Sequence, residues 1–190
     1  MNATLSHLPV IVVGLVWAER LREIMTKRDT VAGRRRELWT FSLFMACGVL
    51  MCGGGISEYH LRGANPVWAL VGLGLALSIA SFVIRRRTIA ALGRFWSLHV
   101  EMREGHEFVR SGPFRWMRHP VYFSMILELL GPALILGAWW TLLGVAAIFI
   151  PTLCWRLRLE EAALVEQFGA AYQDYRRTTP MLLPYRFPRA

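Results

Sequence analysis

Three long stretches of this sequence contain no charged residue. They run from Leu38 to Ile56, from Pro66 to Ile84 and from Ala138 to Trp155, and each contains 18 or 19 residues. A helix needs roughly 20 predominantly apolar residues to cross the hydrocarbon core of a bilayer. We therefore predict three membrane-spanning helices, and a soluble domain is a poor description of this chain.

Two further segments are expected to join the bundle. Pro120 to Leu136 is apolar apart from Glu128, and a carboxyl group at membrane depth is costly unless it faces protein. We predict a fourth span in which Glu128 hydrogen bonds to a neighbouring helix. Leu5 to Ala18 is shorter, although its helix can continue through Glu19 to Met25. It is interpreted as a fifth span or an interfacial segment, and it lacks the pattern of a cleaved signal peptide.

The positive charges are distributed very unevenly between the two faces of such a bundle. Five spans place 21 of the 22 Lys and Arg residues on one side. Because positively charged loops stay in the cytoplasm, we predict a cytoplasmic C-terminus. The net charge of +9 needs no nucleic acid, since anionic lipid headgroups attract each juxtamembrane Arg by about 1 kcal/mol. Membrane lipids are therefore the expected partners, and the sequence sets no oligomeric state.

No repeat, low-complexity tract or Gly/Ser linker divides the chain. We predict a single membrane domain over residues 1–190, with N-terminal helices in 1–84 and the functional residues in 85–190. The long polar segment Arg85 to Arg118 mixes aromatic side chains with Arg and His. Such a segment in a compact domain is usually functional, and we expect it to fold against the membrane surface.

The C-terminal part is expected to contain a helix and then an extended strap. Arg156 to Arg177 has apolar residues at the spacing of an amphipathic helix. Thr179 to Arg189 contains three prolines, which disfavour helix and predict an extended segment folded over the bundle.

Small residues in the apolar runs do not indicate a nucleotide loop or a metal site. Gly53 to Gly55 and Gly72 to Gly74 lie in or beside predicted spans, where close helix packing is the expected role of glycine. The cysteines also lie in apolar runs without metal-ligand spacing, so we predict buried apolar side chains and no metal: Cys47, Cys52 and Cys154.

A helical hairpin is predicted to bring distant polar residues together. Gly137 is the natural turn, with 18 steps back to His119 and 19 forward to Arg156. Both arms are then about 27 to 29 Å long, so their feet lie at the same depth. Glu160 follows Arg156 by one helical turn. The pair could be a surface ion pair worth a few tenths of a kcal/mol.

Convergence favours a functional site over a surface pair. His119, Arg156, Glu160, Glu161 and the region of His106 would meet where a water-soluble cofactor and a lipid-like substrate can both enter. Charged groups facing the interior of a membrane bundle are functional candidates. The predicted fold class is therefore all-α: a polytopic membrane protein of about five transmembrane helices, with a C-terminal helical hairpin and a cytoplasmic cofactor-binding region.

Two separated stretches resemble one known family. Residues Gly112 to Tyr122 resemble the GPYRxxRHPxY signature of the isoprenylcysteine carboxyl methyltransferase family, and the stretches Leu92 to Ser97 and His106 to Val109 resemble its LGRxxS and HxLV segments. Nine later residues resemble its RxxxEExxLxxxFGxxYxxYxxxxP run: Arg156, Glu160, Glu161, Leu164, Phe168, Gly169, Tyr172, Tyr175 and Pro180. The resemblance covers Leu92 to Pro184, about half of the chain.

The resemblance implies a membrane methyltransferase that uses S-adenosylmethionine and releases S-adenosylhomocysteine. It implies that Arg156 and Glu160 are catalytic, with Arg156 addressing the methyl acceptor. The implied cofactor-binding residues are His106, Glu107, Phe108, Val109, Phe114, His119, Pro120, Val121, Tyr122 and Glu160. The chain departs from the family pattern at Phe114, where Tyr is usual, and at Ser124, where Gly is common.

The chemistry of methyl transfer suits these residue types. Displacement from a sulfonium cation requires alignment of two reactants and exclusion of water. A carboxylate acceptor needs only a cation such as Arg156 to orient it, whereas a phenol or amine must lose a proton, to Glu160 or His119. The acceptor is expected to be a lipophilic small molecule or an isoprenylcysteine-type carboxylate. A sterol-reductase-like enzyme using NADPH and a non-catalytic lipid-binding scaffold are the alternatives.

Overall fold

A computed structural model of the protein describes residues 3–26, 34–35, 39–96, 101–102 and 109–185. Within these ranges the chain forms five α-helices and two very short strands. In chain order they are α1 (Ala3–Met25), β1 (Arg34–Arg35), α2 (Trp39–Leu61), α3 (Trp68–Leu92), β2 (Glu101–Met102), α4 (Pro120–Leu136) and α5 (Trp139–Thr178). Single 3₁₀ turns occupy Gly93–Phe95 and Gly112–Arg115.

Three helices in the described ranges are long and apolar enough to cross a membrane. They are Trp39–Leu61, Trp68–Phe95 and Trp139–Thr178, which confirms the three predicted uncharged spans. Large apolar side chains point outward from all three, including Val49, Ile79 and Leu143, as expected of surfaces that face lipid.

The predicted count of five spans is not confirmed. Helix α4 contains 17 residues and is a shorter apolar helix, and α1 is not among the helices that meet the length and hydropathy requirements. The helix of α1 does continue from the apolar segment through Glu19 to Met25. The described helices thus indicate a helical membrane protein with three candidate spans.

The all-α prediction is confirmed for the described residues, apart from one small strand pair. Strands β1 and β2 form an antiparallel pair in which Arg34 is opposite Met102 and Arg35 is opposite Glu101. Two-residue strands are too short to give a periodic apolar pattern, which is why the sequence did not reveal them. They connect the segment after α1 to the polar segment between α3 and α4.

The predicted turn between α4 and α5 is confirmed. Pro120 occupies the first turn of α4, where its missing N–H costs nothing. At the other end Gly137 adopts the left-handed conformation, with φ 62° and ψ 30°. The N–H of Gly137 donates to Leu134 O at 3.2 Å and that of Ala138 to Ala133 O at 2.9 Å. This glycine cap ends α4 and reverses the chain into α5.

Glycine also permits the close approach of α3 and α4. A Cβ atom added to Gly74 would lie 2.5 Å from the carbonyl oxygen of Gly131. Close packing of small residues was predicted for this part of the sequence and is confirmed at Gly74. Gly72 has no atom within 4 Å of its Cβ position, so it makes no such contact.

Helix α5 is continuous through the apolar and amphipathic segments. It has a kink at Gly169, where φ is 53° and ψ is −128°. Beyond the apolar half it buries Leu157, Tyr172 and Tyr175, as the predicted amphipathic helix requires. The strap then follows: the N–H of Arg118 donates to Pro180 O at 2.8 Å and that of His119 to Met181 O at 3.1 Å.

The strap prediction is thus confirmed for the part of the chain that the structure describes, to Tyr185. Residues 186–190 of the predicted strap lie outside the described residues. Within the polar segment between α3 and α4, residues 97–100 and 103–108 also lie outside them.

Four buried charged side chains connect α1 with α3 and α4. Arg20 contacts Glu23 at 2.8 Å and Glu128 at 3.0 Å. Arg85 contacts Glu23 at 3.0 Å and Glu128 at 2.6 Å. Each side chain is at most 10% exposed. The predicted bond from Glu128 to a neighbouring helix is therefore present, as part of a closed ring of two cations and two anions that we call the ionic quartet.

Candidate functional site

His119 lies at the foot of the hairpin, immediately before α4. Its side chain is 2% exposed. Its Nε2 lies 2.8 Å from Glu161 Oε1 and its Nδ1 lies 3.6 Å from Glu160 Oε1. The backbone N–H of His119 is held by the strap through Met181 O. The imidazole is thus fixed between two carboxylates of α5.

The two carboxylates favour the charged form of the imidazole. Burial acts to lower the pKa of His119, but hydrogen bonds and charge from Glu160 and Glu161 act more strongly in the other direction. The net result is a raised pKa. An imidazolium paired with carboxylates is therefore favoured at this position.

Arg156 reaches the same cluster through a tyrosine. Its Nε donates to the hydroxyl oxygen of Tyr122 at 2.9 Å, and that hydroxyl in turn donates to Glu160 Oε2 in a short hydrogen bond. The side chain of Glu160 is 32% exposed, whereas Arg156 is 5% exposed. The predicted residues His119, Arg156 and Glu160 are therefore brought together, with Tyr122 as the connecting group.

The register of the hairpin differs from the prediction by one turn. His119 was expected to be the neighbour of Arg156, but its direct partners are Glu160 and Glu161. Arg156 lies one helical turn earlier in α5, opposite Tyr122. Equal arm lengths brought the foot of α4 to the correct part of α5 but did not predict the side-chain pairing.

Helix α2 also contributes to the surroundings of Arg156. Nη1 of Arg156 donates to Thr40 Oγ1 at 2.7 Å, and its Cζ lies 5.8 Å from the ring centroid of Phe44. Sequence reasoning missed both residues. A threonine and a phenylalanine in an apolar span are ordinary, so the sequence contains no signal that would have singled them out.

Glu161 anchors the foot of the hairpin to the end of α5. It accepts a hydrogen bond of 2.8 Å from the hydroxyl of Tyr172, and it contacts Arg176 Nε at 2.8 Å and Arg118 Nη1 at 3.4 Å. The contacts with Tyr172 and Arg176 cross the kink at Gly169. They fix the polar half of α5 next to His119.

Four further members of the predicted cofactor-binding set lie at the start of α4 or in the described segment before it. Pro120 and Val121 form the first turn of α4, directly after His119. Phe114 lies in the 3₁₀ turn and is half-buried, and its carbonyl oxygen accepts a hydrogen bond of 2.6 Å from the hydroxyl of Tyr175. Val109 is half-buried at the start of the same described segment.

The remaining members of that set are His106, Glu107 and Phe108, which lie outside the described residues.

Among the residues that are described, no group of three His, Cys, Asp or Glu side chains is arranged to hold a metal ion. Cys47 is buried, Cys52 half-buried and Cys154 exposed. The prediction that the cysteines are buried was therefore wrong for Cys154, which lies on an outward face of a candidate span.

Fold and site together define an α-helical membrane protein with a buried, charged cluster at the foot of a helical hairpin. The sequence model of the isoprenylcysteine carboxyl methyltransferase family matches residues 73–166 of the chain. This segment contains His119, Tyr122, Arg156 and Glu160, and it excludes α2. Together with the similarity to protein-S-isoprenylcysteine O-methyltransferases, this match supports an isoprenylcysteine carboxyl methyltransferase-like family for the chain.

Similar proteins come from bacteria and plants. The uncharacterized protein YpbQ of Bacillus subtilis is 35% identical over 114 residues, which are 58% of this chain and 66% of that protein. Protein-S-isoprenylcysteine O-methyltransferase B of Arabidopsis thaliana is 26% identical over 130 residues, 65% of this chain and 64% of that protein. Methanethiol S-methyltransferase 2 of Bradyrhizobium diazoefficiens is 32% identical over 136 residues, 64% of this chain and 48% of that protein. The matched parts thus span less than two thirds of the length of these relatives.

Proposed function

We propose that this protein is a membrane methyltransferase that uses S-adenosylmethionine and methylates a lipophilic acceptor taken from the bilayer. The observation that carries the proposal is the connected cluster of His119, Glu160, Tyr122 and Arg156 at the foot of the hairpin. All four residues lie in the family-matched segment. The charge asymmetry of the loops supports a cytoplasmic position for the cluster and for the C-terminus.

The donor side of this site is assigned to His119, Tyr122 and Glu160. S-adenosylmethionine, when bound, supplies a methyl group on a sulfonium cation. The partly exposed carboxylate of Glu160 and the ring of Tyr122 suit a cation, because carboxylates and neutral aromatic faces both attract positive charge. His119 lies beside them, with its ring centroid 5.7 Å from that of Tyr122, and its part is to hold the carboxylate of Glu160 in place. The implied residues His106 to Val109, Phe114, Pro120 and Val121 would complete this side.

The acceptor side is assigned to Arg156. Its guanidinium is buried and held by two hydroxyl groups, so it can present a fixed positive charge to an acceptor anion. His119 is stabilised as an imidazolium by Glu160 and Glu161, which makes it a poor general base. An acceptor that is already anionic therefore fits best, and we propose the carboxylate of a lipophilic molecule of the isoprenylcysteine type.

A thiol is the second acceptor class. One relative is named a methanethiol S-methyltransferase, and a thiol ionises far more readily than an alcohol or phenol near neutral pH. Arg156 can stabilise a thiolate as it can a carboxylate, so the same residues serve either acceptor.

The proposal is tested with the purified full chain in lipid nanodiscs. Calorimetric titration should show binding of S-adenosylhomocysteine and no binding of NADPH. Transfer of isotope-labelled methyl is then measured to N-acetyl-S-farnesylcysteine, a carboxylate, and to hexadecanethiol. Absence of heat with S-adenosylhomocysteine refutes the proposed function, and heat with NADPH instead supports a reductase. Transfer to one acceptor alone assigns the acceptor class.

A further inference from the structure

Helix α2 lies outside the family-matched segment but contacts a buried cation within that segment, Arg156. The matched residues are 73–166, whereas α2 spans Trp39–Leu61. Thr40 is 0% exposed, and its Oγ1 accepts a hydrogen bond of 2.7 Å from Arg156 Nη1. These two residues are 116 positions apart in the chain.

Thr40 and Tyr122 hold different nitrogens of one guanidinium. Tyr122 accepts from Nε at 2.9 Å and Thr40 from Nη1 at 2.7 Å. A planar group held through two of its nitrogens cannot rotate about its own axis without breaking one bond. Phe44 follows Thr40 by four residues and therefore lies on the same face of α2, where its ring is 5.8 Å from Arg156 Cζ.

Threonine is well suited to this contact. Branching at Cβ limits the Thr side chain in a helix to two main χ1 rotamers, and the hydrogen bond to Arg156 selects one of them. Other buried threonines use their hydroxyls differently. Thr152 is 4% exposed, and its hydroxyl donates to Ile148 O of its own helix at 2.8 Å.

We propose that Thr40 is a positioning residue that fixes the orientation of the Arg156 guanidinium, so that α2 contributes to the positioning of the methyl acceptor. The inference rests on the proposed function, because Arg156 is assigned there to the acceptor. It adds a residue from outside the family-matched segment. Thr40 does not take part in the contact between His119 and Glu160, so we expect the donor side to keep its geometry when the Thr40 hydroxyl is removed.

The first test separates acceptor kinetics from donor kinetics. Thr40→Val replaces the hydroxyl by a methyl group, and the loss of a hydrogen bond to a charged group should lower kcat/KM for N-acetyl-S-farnesylcysteine by about 10- to 100-fold. The KM for S-adenosylmethionine and the affinity for S-adenosylhomocysteine should not change. Thr40→Ser retains the oxygen and should restore most of the activity. Thr152→Val, one turn before Arg156 in α5, is the matched control and should behave as wild type.

A second measurement does not depend on turnover. The method is NMR spectroscopy of protein labelled with ¹⁵N-arginine. The signals of Arg156 are assigned as those that are absent from the spectrum of Arg156→Lys. Separate resonances for its Nη groups are expected in the wild type, because the bond to Thr40 hinders rotation, and these should merge in Thr40→Val and in Thr40→Ala. Thr40→Ala adds no methyl group beside the guanidinium and serves if Thr40→Val fails to fold.

The outcomes are distinguishable. Unchanged acceptor kinetics and unchanged Arg156 signals in Thr40→Val would overturn the role of Thr40 while leaving the methyltransferase proposal intact. An equal loss of donor and acceptor affinity would also overturn it, since that pattern reports general damage. A wild type that binds no S-adenosylhomocysteine sinks the proposed function itself, and the arginine spectra then still decide whether Thr40 orients Arg156.

Discussion

Removing one carboxylate from the ionic quartet should destabilise the bundle strongly. In Glu128→Gln, two buried arginines share the single carboxylate of Glu23, whereas the intact ring has equal numbers of cations and anions. Arg20 and Arg85 lose contacts of 3.0 and 2.6 Å. Breaking a buried ion pair costs about 3 to 5 kcal/mol because an uncompensated charge remains. For a chain of this size that corresponds to a fall of about 10 °C in the unfolding midpoint.

The assay is thermal unfolding in nanodiscs, followed by tryptophan fluorescence. Arg85→Gln combined with Glu128→Gln leaves one cation and one anion, so the double variant should lose less than the sum of the single variants. Glu19→Gln is the matched control, because Glu19 pairs with Arg22 on the exposed side of the same α1, and it should not move the midpoint. A Glu128→Gln protein that unfolds at the wild-type temperature would show that the quartet does not hold α1 to the bundle.

Three further predictions concern the site and the helix packing. Arg156→Lys keeps the charge but loses the planar fork, so kcat/KM for the acceptor should fall about 100-fold while S-adenosylhomocysteine affinity is retained. Because the pKa of His119 is raised in the folded protein, its stabilising contribution is complete at acidic pH and is lost as pH rises through that pKa. The difference between the unfolding midpoints of wild type and His119→Asn should therefore decrease as the pH rises. A difference that does not change with pH contradicts this expectation. Gly74→Ala should cost about 1 to 3 kcal/mol by overlap with Gly131 O, whereas Gly72→Ala, with open space around it, should be neutral in the same unfolding assay.

The hairpin could be predicted because its determinants are local. An uncharged run, a single glycine and a second uncharged run specify two antiparallel helices, and counting residues at 1.5 Å each places their feet together. The structure confirms this at Gly137 and brings His119 to α5. The pairing differs by one turn because helix lengths do not determine how far one arm of a hairpin is shifted along the other. That shift is set by which side chains pack, here Tyr122 against Arg156 and His119 against Glu160.

The contacts that join the N-terminal helices to the site could not be predicted. Arg156 and Thr40 are separated by 116 residues, and Arg85 and Glu23 by 62. No periodicity or motif connects residues at such distances, and each is ordinary in its local sequence. Glu128 was recognised as unusual because an apolar run surrounds it, but its partners depend on how three helices pack.

The position of α4 connects the quartet to the site. Tyr122 and Glu128 are six residues apart, which is about 9 Å along the helix and about 240° around it. One face of α4 therefore presents Tyr122 to Arg156 and Glu160, while another presents Glu128 to Arg20 and Arg85. A rotation of α4 that relaxed one set of contacts would strain the other. The ionic quartet thus holds α4 in the register that the Tyr122 hydroxyl needs to reach Arg156 and Glu160.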